Sequence, residues 1–183
     1  MDHHKQQRLS NKVNVMDQVS FKMQGIVDVT VLDKNNNVKQ HFVTHNRVVD
    51  TGLNMIASLI AGANKEGSNY ISGPTHMAFG TGSKQVVAGD TKLQKEVFRK
   101  AFTSVKRTKN VVEFQSTIEP GDIAANVTPV TEVGLFNGST SSSVLLARSI
   151  FNVVNVAMDD TLRIVWSLVI VPLSSRFDTL PTN

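Results

Sequence analysis

Thr161-Leu162-Arg163-Ile164-Val165-Trp166-Ser167-Leu168-Val169-Ile170-Val171 decides the fold. Its even positions, Leu162, Ile164, Trp166, Leu168 and Ile170, are all apolar, and successive side chains of a strand point to opposite faces. The odd positions run Arg163, Val165, Ser167, Val169, Val171 and turn apolar towards the end. An antiparallel strand with one wet face alternates cleanly. The segment therefore reads as a strand whose even face lies in a core and whose second face also needs cover, from a helix and from another subunit. Val165, Val169 and Val171 are the residues this assigns to an oligomer interface.

Working outward, Gly25 to Leu32 and Val38 to Thr44 are β-branched runs on either side of Asp33-Lys34-Asn35-Asn36-Asn37, a turn sequence, and form a hairpin. One helix is expected near 51–61. Asp50 or Thr51 caps it, Leu53, Ile56, Ala57 and Ile60 make an apolar face against a sheet, and Gly62 ends it. Further strands are expected at Thr75 to Phe79, Phe98 to Lys106, Val111 to Ile118, Val130 to Phe136 and Val144 to Phe151, with an irregular crossover from Glu119 to Pro129. Seven or eight strands and one helix predict a mostly β fold, an antiparallel β-sandwich with one packed α-helix. It occupies residues 25–173, between an extended N-terminal arm (1–24) and a C-terminal tail (174–183). Within the arm, Val13, Val15, Val19 and Phe21 are apolar anchors in a polar segment, suited to adding a strand to a neighbouring subunit.

The chain has 183 residues, 40% of them hydrophobic, and a formal charge of +4. That length suffices for one domain with a substantial core. Basic residues are scattered, with one cluster at Lys106, Arg107 and Lys109 in a turn, so no nucleic-acid face is expected. There are no cysteines, which excludes disulfides and thiolate metal sites. The longest apolar run, Ile164 to Leu173, is too short to span a bilayer, and no membrane partner is expected.

Chemical constellations are sparse. His41 and His45, placed on a strand, stand about 13 Å apart and cannot share an ion. Gly80-Thr81-Gly82-Ser83-Lys84 lacks the spacing of a phosphate loop and its following helix; its glycines are expected to supply unusual backbone angles. No serine, carboxylate pair or metal set is selected by spacing, so no catalytic residue, cofactor or metal is assigned and no enzyme is expected. Trp166 in a strand and Tyr70 in a loop leave little for an aromatic sugar platform. Glu132 is the charged residue placed nearest the core, and an unpaired buried carboxylate is costly. It should form a structural ion pair with Arg99 or Arg148, while Gly134 allows a neighbouring backbone to approach.

Several segments taken in order carry a resemblance. They are His76-Met77-Ala78-Phe79-Gly80-Thr81-Gly82, Asp90-Thr91-Lys92-Leu93-Gln94-Lys95-Glu96-Val97-Phe98-Arg99, Thr131-Glu132-Val133-Gly134-Leu135-Phe136 and Val144-Leu145-Leu146-Ala147-Arg148. From about Gly52 to Phe136, and more loosely to Val171, the chain resembles the N-terminal domain of phage tail-collar fibre proteins. The resemblance implies a non-enzymatic virion protein, assembled in the host bacterial cytoplasm. It implies a homo-oligomer, with a trimer expected, that docks on other virion proteins of the tail or baseplate. The hairpin before the helix and the lack of shaft repeats depart from that family. They keep open a capsid decoration protein bound to the major capsid protein, and beyond it a carbohydrate-binding sandwich.

Overall fold

The computed structural model describes residues 21–61, 70–122 and 127–172. The chain forms β1 (Phe21–Leu32), β2 (Val38–His45), β3 (Arg47–Val48), α1 (Asp50–Ala61), β4 (His76–Gly80) and β5 (Glu96–Ala101). It continues through β6 (Ser104–Thr108), β7 (Val111–Ile118), β8 (Val127–Phe136), β9 (Leu145–Ala157) and β10 (Thr161–Pro172). Two five-stranded antiparallel sheets result, in the orders β2-β1-β10-β7-β6 and β3-β9-β8-β4-β5. The larger of two core clusters joins them: Val27, Val29 and Trp166 of the first sheet pack with Met77, Val133 and Leu135 of the second. This is the antiparallel β-sandwich with one helix that the alternation predicts.

β10 lies at the centre of the first sheet, between β1 and β7. Leu162, Ile164 and Trp166 are wholly buried and Leu168 nearly so. Arg163 is exposed, and Val165, Val169 and Val171 are half-buried on the outer face, between residues of β1 and β7. The helix does not cover that face, contrary to expectation. Its Ile56, Leu59 and Ile60 instead border Leu168 and Ile170, on the inner side.

The β1–β2 turn follows its sequence. Asp33 Oδ1 accepts the N–H groups of Asn35 and Asn37, both at 2.8 Å, and Asn36 takes φ 64°. Asparagine tolerates that left-handed conformation. The Asn37 side chain and main chain hold the Asp33 carboxyl below its ordinary range. β1 itself begins at Phe21, opposite Pro172, so residues 21–24 belong to the sandwich and not to the arm.

Three further expectations are corrected. Phe98 to Lys106 is not one strand: β5 pairs with β4 in one sheet and β6 with β7 in the other. Between them Phe102 N–H bonds to Thr75 O and Thr103 N–H to Gln115 O, handing the chain from sheet to sheet. Phe102 then packs on Phe114 with ring centroids 4.9 Å apart. Pro129 lies within β8 and not in a crossover. There β8 pairs with β9 alone, since β4 reaches only residues 132–136, and a proline is tolerated where one side of the strand is free.

The third correction concerns α1. Its buried residues are Gly52 and Met55, while Leu53 is 55% and Ile60 76% exposed. Gly52 explains the rotation: a Cβ there would stand 2.0 Å from the Leu146 carbonyl oxygen. The helix backbone thus lies directly on β9, and the Thr51 hydroxyl donates to Leu145 O at 2.7 Å. Gly52→Ala should therefore cost about 1–3 kcal/mol by overpacking, although alanine favours helix. Chemical denaturation checks it, and a stabilised variant would mean that the helix does not sit this close.

Candidate functional site

A dense polar constellation is built around Glu132, wholly buried on β8. Its Oε1 accepts the N–H groups of Gly82 (2.9 Å) and Lys95 (2.7 Å), and its Oε2 accepts that of Gln94 (3.0 Å). Arg148, on the adjacent strand β9 and 1% exposed, approaches the same Oε2 through Nε at 2.9 Å and Nη2 at 2.7 Å. The Arg148 Nη1 donates to Asp90 Oδ2 (2.9 Å) and Nη2 to Lys84 O (3.1 Å). Thr131 Oγ1 adds a bond to Gly82 O at 2.8 Å.

Two neighbouring strands thereby hold the whole 81–95 connection, which would otherwise have little to pair with. Charge-assisted bonds to backbone N–H groups are the strong kind, and together they offset the cost of burying the carboxylate. Both oxygens are saturated with donors, which suits a fixed anchor and leaves no lone pair for proton transfer. Glu132 and Arg148 are thus brought together, and Arg99 is not part of the pair. Arg99 binds Glu96 at 2.7 Å, donates to the carbonyls of Gly138 and Thr140, and stacks 3.9 Å above the Phe136 ring. Burial first, and the nearby Arg99 charge second, push His76 below the ordinary imidazole value.

Glycine serves here for space and not for angle. A Cβ on Gly82 would lie 2.3 Å from Glu132 Oε1, and one on Gly80 2.6 Å away. Neither takes a positive φ, so the expected unusual backbone angles are absent at these two positions. At Gly134 the crowding comes from the Leu93 and Leu145 side chains, not from a neighbouring backbone. The sequence does not mark Asp90 and Lys84 as partners of Arg148, because only the fold brings them within its reach.

Other candidates are dispersed. His41 Nε2 lies 3.1 Å from Asp28 Oδ2, and His45 Nδ1 lies 3.3 Å from Gly25 O. No group of three metal-ligating side chains occurs among the described residues. Among them, too, no helix is long and apolar enough to cross a membrane. Trp166 is fully buried, whereas Tyr70 is 45% exposed. Val13, Val15 and Val19 lie outside the described residues. Phe21 opens β1, and Val165, Val169 and Val171 stand on the outer face of the first sheet.

No protein-family model, curated protein or solved structure matches the chain.

Proposed function

We propose that the chain is a non-enzymatic structural protein of a bacteriophage particle, a tail-proximal fibre or fibre-attachment adaptor that works as a homo-oligomer docked on other virion proteins. One observation carries the reading. The segments that resemble the tail-collar fibre domain, far apart in sequence, meet at one buried carboxylate. Gly82, Asp90, Gln94, Lys95, Glu132 and Arg148 all come from those segments and all belong to the Glu132 network. The resemblance thus falls on residues that specify one structural unit, which is what a shared fold requires. The saturated carboxylate favours a scaffold over a catalyst.

Gold-labelled antibody against the protein, applied to intact particles in the electron microscope, tests the reading. Label at the tail supports it. Label over the head points to capsid decoration, and an unlabelled particle rejects both.

The arm gives a second test. Residues 1–20 are polar, with Val13, Val15 and Val19 as anchors, and main-chain pairing with a neighbour suits such a segment. Deleting residues 2–20 is expected to leave the melting transition in place, because the core lies within 21–172. Incorporation into particles should fall. A truncated protein that assembles and stays bound as well as the full chain makes the arm a mere leader.

A further inference from the structure

The rotation of α1 leaves an apolar surface at one end of the sandwich. Beside the exposed Leu53 and Ile60 runs a groove of about 390 Å³, every lining side chain of which is apolar. Ile56, Leu59 and Ile60 form one wall, and Met23, Leu168 and Ile170 the other. Contiguous exposed apolar surface of this kind marks an interaction site.

We propose that this groove receives residues 13–15 of a neighbouring copy of the chain. The proposal rests on the oligomeric reading above and names the surface that the oligomer uses. Three observations support this occupant. Phe21 pairs with Pro172, and Met23 and Ile170, paired two residues further along, line the groove, so the twenty preceding residues join β1 beside it. Val13 and Val15 would share one face of an extended segment, matching a groove without polar groups, and the seated stretch ends there because Asp17 falls on the same face. Val13 to Val15 span roughly 7 Å when extended, comparable to the roughly 6 Å of helix between Ile56 and Ile60 that forms the groove wall. β1 stays paired through Phe21, so a return to the same molecule's groove needs a chain reversal immediately before it. A neighbour's groove is reached without one.

The native chain has no cysteine, which makes a cross-linking test clean. Full-length Val15→Cys protein is mixed with full-length Ile60→Cys protein and treated with a short bis-maleimide, while light scattering reports assembly of the same sample. A covalent heterodimer is expected. Ile60→Glu, a change at an exposed position, should lower the association constant by about tenfold or more; Val169→Glu, on the outer sheet face, should lower it less. Dominant closure within a single Val15→Cys/Ile60→Cys chain at high dilution overturns the proposal in favour of the molecule's own arm. Cross-linking from Phe177→Cys in place of Val15→Cys assigns the groove to the C-terminal tail instead. Assembly without any of these cross-links rejects the groove and leaves the oligomer standing. A monomer at roughly 50 µM, weaker than ordinary micromolar association allows, rejects the oligomeric reading itself.

Discussion

Glu132→Gln is expected to destabilise the fold by about 3–5 kcal/mol, the cost of stranding one partner of a buried ion pair. The substitution keeps the shape and removes the charge. Both carboxylate oxygens accept bonds from donors: Gly82 and Lys95 N–H at Oε1, Gln94 N–H and Arg148 at Oε2. Whichever way a carboxamide is turned, its NH2 group faces donors and bonds are lost. Arg148 is left in the core with Asp90 as its remaining carboxylate. Arg148→Met should cost less, because Glu132 then keeps its three backbone donors. Urea denaturation measures both, through a shift in midpoint at unchanged slope. Hydrogen exchange at Gly82, Gln94 and Lys95 should accelerate more in Glu132→Gln than at residues of β10, since those amides lose their acceptor. A shift below about 1 kcal/mol, the size of an ordinary surface effect, would remove the network from any account of the fold.

The contrast between Glu132 and α1 shows which features the sequence carries. A carboxylate sharing a strand face with Val130, Gly134 and Phe136 must be paired if it is buried, so its need is legible from alternation and desolvation alone. Which arginine answers it is not, because Arg99 and Arg148 both lie on strands of the same sheet. The choice follows from β9 lying beside β8, while Arg99 on β5 is separated from β8 by β4. For α1, the 3.6-residue period correctly marks a helix. The apolar stripe misleads about its orientation, because a close backbone approach at Gly52 outweighs the stripe of Leu53, Ala57 and Ile60. Periodicity reports which side chains prefer to leave water. It is silent on whether they do so against their own sheet or against another molecule. The same ambiguity splits 98–106, where no residue signals that Phe102 crosses between sheets.

Trp166→Ala is expected to cost about 3–5 kcal/mol, a large share of a typical total of roughly 5–15 kcal/mol. Trp166 is wholly buried at the centre of β10, opposite Val27 on β1 and Phe114 on β7, in the cluster that joins the two sheets. Removing it opens a cavity between strands that are pinned on both sides by their ladders, so the walls cannot close over the gap. Trp166→Phe separates volume from chemistry. The indole Nε1 has no hydrogen-bond partner among the described residues, so phenylalanine forfeits no bond to them and should cost only about 1–2 kcal/mol, through lost contact. Chemical denaturation of the two variants side by side gives the difference. If alanine shifted stability by less than about 1 kcal/mol, Trp166 would have to be at the surface. The two sheets would then lack the residue that fills the space between them, and an aromatic platform for carbohydrate would regain its best candidate.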